Sequence, residues 1–201
     1  MKETDKVIKW TENVIVADAD YVDSVAFNLI VNFERMLGRR IKQADMARWI
    51  DCIALDGGLR EGQNSTQVVL IHGKSKRGMD NFSPSDFDDE LNGKAFSDHL
   101  GEFVLSSLAV ESIVDADEMF VNVVKTVCSQ TDVKRVMIIP NAEKGDLYDQ
   151  LRHVLQRIDD DKRVTMFAMQ PMTGGNFRQE ILGYSLMNAL GIRGEELEGI
   201  G

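Results

Sequence analysis

Cysteine, proline and histidine are scarce in this chain, and long apolar runs are missing. The two cysteines, Cys52 and Cys128, sit in unrelated segments among apolar neighbours, Ile50 and Ile53 beside one and Val127 beside the other. With no CxxC pair, thiol-redox and zinc motifs have no footing, and buried free thiols are expected. The three histidines, His72, His99 and His153, are too dispersed for an HExxH-type helix. Three prolines and no biased tract exclude collagen, polyproline linkers and wholesale disorder. No run approaches the ~18 apolar residues of a membrane-spanning helix. The opening Met-Lys-Glu-Thr-Asp-Lys-Val-Ile-Lys-Trp has no apolar core of a secretory signal. An intracellular, cytoplasmic protein with no membrane partner is the expectation.

Basic residues are also in short supply. The chain carries 23 Lys and Arg against 33 Asp and Glu, a formal net charge of −10. A field of that sign repels a polyanion at long range but leaves room for a local basic groove. What is present is ordinary globular material, 43% hydrophobic and 28% charged over 201 residues. That length suits one domain burying roughly 70% of its unfolded surface without a covalent staple.

Apolar, β-branched runs alternate with helical periodicity. Residues 13–18, Asn-Val-Ile-Val-Ala-Asp, predict a strand buried on both faces. Val22, Val25, Ala26, Leu29, Ile30, Phe33 and Leu37 follow at helical spacing, with Gly38 as the stop. A second helix is predicted over 43–56, ended by Asp56-Gly57-Gly58. Further strands are predicted at 67–72, 102–108, 133–139 and 163–169, and helices from Asp115 and over 145–158. Residues 73–99 read as a polar excursion, irregular or made of short helices. A last helix is predicted over 177–190, and Gly194 to Gly201 as a fraying tail. The alternation implies one α/β domain over 1–201, a mainly parallel sheet sandwiched by helices. Its core spans about 13–170, with an extra C-terminal helix and tail over 171–201.

Open α/β sheets bind ligands beyond the carboxyl ends of their strands. Acids cluster there: Asp18, Asp20 and Asp23 after the first strand, Asp115, Asp117 and Glu118 opening the central helix, and Glu143 and Asp146, beside Asn141, after the fourth strand. Grouped carboxylates at loop ends suit Mg²⁺ or Mn²⁺. Each acid also has a structural reading, because an Asp after a strand commonly caps a helix; Asp20 or Asp23 would cap the first helix and Asp115 the central one. Lys74, Lys76, Arg77, Lys144 and Arg178 are basic groups placed to hold phosphate, with Lys144 and Arg178 the expected substrate contacts. The Met-rich stretch Met166–Met172 reads as core filler sooner than as a contact surface. Thr173-Gly174-Gly175-Asn176 reads as a plain loop sooner than as an anion cradle.

Val-Ile-Val-Ala-Asp-Ala-Asp-Tyr-Val-Asp (14–23) resembles the opening of NYN domains, in the PIN-like nuclease superfamily. Asp-Ala-Asp-Glu (115–118) resembles the family's acid before its fourth strand, and Gly-Asp-Leu-Tyr-Asp-Gln-Leu (145–151) the start of its next helix. The resemblance covers about residues 13–170. It implies a ribonuclease-like hydrolase in which Asp18, Asp117 and Asp146 are catalytic and, with Asp20, hold Mg²⁺ or Mn²⁺, with RNA as the partner. Tyr21 stands where the family has Asn, and Asn141, Glu143 and Asp146 replace its Gly-Asp-x-Asp signature, so a catalytically inactive member is equally open. Residues 14–22 also resemble the first motif of haloacid-dehalogenase-like phosphatases, which implies Asp18 as nucleophile and Asp20 as acid–base. A third reading is a non-enzymatic binding or assembly module, with a homo-oligomer among its forms. Taken whole, the chain resembles an uncharacterised bacterial protein family.

Overall fold

Strands made of Val, Ile and Ala need apolar cover on both faces, and the computed structural model supplies it. It describes residues 9–199, except the side chains of 113–115. The N-terminal stretch read for a signal, residues 1–8, lies outside the described residues. In chain order the elements are β1 (Asn13–Asp18), α1 (Ala19–Leu37), β2 (Ala44–Asp45), α2 (Met46–Asp56), β3 (Ser65–Gly73), β4 (Phe82–Ser83), one π-helical turn (Phe87–Leu91), β5 (Ala95–Asp98) and β6 (Gly101–Val110). Then follow α3 (Ile113–Cys128), β7 (Arg135–Ile139), α4 (Gly145–Leu155), β8 (Arg163–Ala168), β9 (Arg178–Ile181), α5 (Leu182–Ala189) and α6 (Gly194–Glu198).

Seven strands form one sheet in the order β5-β6-β3-β1-β7-β8-β9, and β2 and β4 pair separately. Every pairing in the large sheet is parallel except that of β5 with β6. Strand alternation divides the core into two layers. Ile15, Ala17, Val68, Leu70 and Met137 pack with α1, α2 and α5, while Val14, Val16, Val69, Ile71 and Ile138 pack with α3 and α4. Met166 is buried in the second layer, as core filler. The fold is therefore α/β, with a mostly parallel central sheet flanked by helices. No helix among the described residues is long and apolar enough to cross a membrane.

The first helix ends as expected, with Gly38 in the left-handed region at φ 65°. The C-terminal part differs from expectation. The stretch predicted as one helix over 177–190 opens as β9, which pairs with β8 and extends the sheet, before α5 begins. Residues 178–181, Arg-Gln-Glu-Ile, carry too little apolar signal to mark a strand; the free edge of β8 recruits them. The expected fraying is corrected for 194–198, because Arg39 holds Glu196 of α6 at 2.7 Å. Residues 200–201 lie outside the described residues, as does the side chain of Asp115, the expected cap of α3. The excursion 73–99 contains β4, the π turn and β5, and Phe87 of the turn is buried.

The chain moves outward from β1 through β3 to β6, then returns to β7 on the other side of β1. The strand order thus reverses between β1 and β7, where a crevice opens beyond their carboxyl ends.

Candidate functional site

At that reversal lies a cleft of about 530 Å³, with Asp18, Asp20, Tyr21, His72, Lys74, Lys76, Asn141 and Lys144 in its wall. Asp18 ends β1 and caps α1, accepting the Tyr21 N–H at 3.0 Å. Asp18, not Asp20 or Asp23, is therefore the cap of the first helix. Asp23 instead accepts the Asn81 N–H at 2.8 Å and anchors the β4 region. Because the helix starts one residue after the strand, Asp20 lies in its first turn. Its Oδ2 accepts the Gly73 N–H at 2.7 Å and ties α1 to the end of β3. Glycine suits position 73, since a Cβ there would sit 3.3 Å from that oxygen.

From the opposite layer, Asp117 in α3 meets the Lys144 ammonium at 3.1 Å. The turn after β7 closes with Ala142 N–H on Pro140 and Lys144 N–H on Asn141. It delivers Lys144 to the cleft and leaves Asp146 exposed in the first turn of α4, outside the cleft wall. There Asp146 suits the helix dipole. Arg178 also lies elsewhere, at the amino end of β9, so it does not join Lys144 as a substrate contact. Arg77 is paired with Asp86 at 2.7 Å.

Charge in the cleft is nearly balanced. Burial raises the Asp18 carboxyl above its ordinary range, the Tyr21 N–H opposes this, and Asp20 and Asp117 push it up while Lys144 pulls it down. The Tyr21 phenol is raised by burial and by the nearby Glu143 carboxylate. His72 is buried, its ring stacked on Phe87 at 3.6 Å between centroids, and its Nδ1–H donates to the Gly73 carbonyl at 2.9 Å. His72 and Glu111 belong to the wall but carried no motif in the sequence; the pairing of β3 with β1, and of β6 with β3, brings their strand ends to the cleft.

The four acids expected to hold a divalent metal are engaged separately. Asp117 is occupied by an ammonium, Asp20 by a backbone N–H, and Asp146 is elsewhere. Among the described residues, no group of three or more His, Cys, Asp or Glu is arranged to hold a metal ion. α1 begins directly at Ala19, so Asp20, the expected acid–base of the phosphatase motif, lies in the helix's first turn. The Thr173–Asn176 loop precedes a strand, not a helix. Its Thr173 carbonyl accepts the Tyr148 hydroxyl at 2.7 Å and its Gly174 carbonyl accepts Arg152, so α4 fastens it as a plain loop.

No curated protein and no solved structure shows a significant match to the chain. A family model does, over residues 7–197, nearly its full length. By that match the protein belongs to DUF6621, a family of unknown function.

Proposed function

We propose that this is a nuclease-like α/β protein, NYN/PIN-like in design, that binds single-stranded RNA at the switch-point cleft without a catalytic metal. One observation carries the reading: the Lys144 ammonium lies 3.1 Å from Asp117 and acts on Asp18, standing where a cation is needed among those acids. An ammonium has three donors. One serves Asp117, and the others are available to a phosphate oxygen. Lys74 at the rim is paired with Glu111 at 3.0 Å, but both side chains are highly exposed, so the pair is screened and exchangeable. Lys76 makes no ion pair among the described residues and adds a second rim contact. A cytoplasmic location agrees with two free cysteines, of which the buried Cys128 thiol is pushed up to about 11.

The test is fluorescence anisotropy with a labelled single-stranded RNA in EDTA, beside a cleavage assay in Mg²⁺ and Mn²⁺. Wild type is expected to bind without metal and to leave the RNA intact. Lys144→Met is expected to weaken binding by about tenfold, the cost of one charge-assisted contact. Absence of binding overturns the proposal. Mg²⁺-dependent cleavage lost in Asp117→Asn replaces it with a metal-dependent ribonuclease. Turnover of an aryl phosphate lost in Asp18→Asn replaces it with the phosphatase.

A further inference from the structure

At the opposite end of the sheet, three parallel strands each begin with arginine. Arg135 opens β7 and Arg163 opens β8, directly in register, and Arg178 opens β9 two positions along, opposite Thr165. Arg60, from the loop after α2, joins them around a cavity of about 480 Å³. Phe177 and Asn176 also line it, and no Asp or Glu does among the described residues. In a chain of net charge −10 this is a concentrated reversal of sign.

The arrangement is built, not incidental. Arg135 donates to the Gly57 carbonyl at 2.9 Å, and a Cβ on Gly58 would lie 2.7 Å from its Nη1. Gly58 has φ +93°, so the Gly57-Gly58 pair both turns the chain and makes room for the guanidinium. Lys162 lies in the same wall, but the carbonyls of Gln130 and Val133 hold its ammonium. Two acids act on the cluster from outside the wall: Glu180 is 3.7 Å from Arg178, and Glu12 acts on Arg135. Arg135 Nε is buried and has no hydrogen-bond partner among the described residues. A buried donor without an acceptor is costly, and clustered like charges repel, so a bound anion would relieve both. Burial first, then the charges of Arg163 and Arg60, hold the Arg135 guanidinium below its usual range.

We propose that this pocket is a ligand site for a multiply phosphorylated small molecule of nucleotide size, separate from the switch-point cleft. Guanidinium forks match phosphate oxygens in pairs. The cavity falls within the ~300–1,000 Å³ of small-molecule sites, larger than an inorganic phosphate needs. The Phe177 ring offers an apolar wall for the organic part.

Isothermal titration calorimetry without divalent metal tests this on the full chain. The probes are ATP, pyrophosphate, adenosine and a short single-stranded RNA. ATP is expected to bind, pyrophosphate more weakly, and adenosine not at all. The exposed pair Arg163→Gln with Arg178→Gln should weaken ATP binding tenfold or more, by roughly the loss of two charge-assisted contacts, with an unchanged circular dichroism spectrum. Lys76→Gln, at the other end of the sheet, should leave ATP binding intact. No ATP binding, equal binding by the double variant, or binding of RNA alone overturns the proposal. Pyrophosphate binding as tight as ATP overturns the nucleotide-sized occupant.

Discussion

Asp51 of α2 faces Asp98 of β5, and a hydrogen bond between the two carboxyls forms when Asp51 holds a proton. Burial, then the hydrogen bond and charge of Asp98, then the charge of Asp45, push the Asp51 carboxyl from 3.8 up to about 7. Its Oδ1 is buried and accepts no hydrogen bond among the described residues. Replacing it by Asn keeps an N–H to donate to Asp98 and removes the titration. A folded-state value raised this far stabilises the protonated pair. That contribution is fully present below the unfolded value near 3.8 and is lost as pH rises through about 7. At full strength such a shift is worth roughly 4 kcal/mol. Solvent reaches part of the pair, and screening reduces the expected contribution to about 1–2 kcal/mol. For a domain of this size 1 kcal/mol moves Tm by about 2–4 °C. Thermal melts from pH 4.5 to 8.5 should therefore show Asp51→Asn matching wild type at the acid end and exceeding it by about 2–8 °C above pH 8. His99, 4.0 Å from Asp98, is common to both proteins, so the comparison at each pH isolates the carboxyl pair. A gain that is flat with pH, or an Asn variant less stable at pH 8.5, would refute the reasoning.

Asp20→Ala removes the acceptor of the Gly73 N–H and should cost about 1–3 kcal/mol in urea denaturation, while Asp20→Asn, which keeps an oxygen, should recover most of that loss. Gly57→Ala should destabilise by about 1–3 kcal/mol, since the new Cβ would stand 2.7 Å from Met137 Sδ and closer still to its Cγ, inside the core; a melt unchanged from wild type would mean that Met137 moves aside freely.

The residues that carry backbone direction were legible without coordinates. Unbroken apolar runs such as Val14–Ala17 and Val136–Ile139 announce strands covered on both faces, because no solvated strand tolerates them. Their alternation with helical stripes implied the parallel α/β arrangement. β9 was not legible. Its four residues are half-buried or exposed, and it exists because β8 offers an unpaired edge. Asp18 and Asp117 were found from position alone, since strand ends and helix starts meet at one edge of such a sheet.

Local sequence thus determined which segments form strands and helices, because those depend on the spacing of apolar residues and on caps such as Asp18 and Gly38. Which charges meet was decided by tertiary structure. Lys144 and Asp146 are two residues apart, yet the turn after β7 sends one to Asp117 and leaves the other in solvent. Arg60, Arg135, Arg163 and Arg178 are scattered over more than a hundred positions and share no motif. Parallel register alone sets the last three side by side, since strands that run the same way bring their first residues to one end of the sheet.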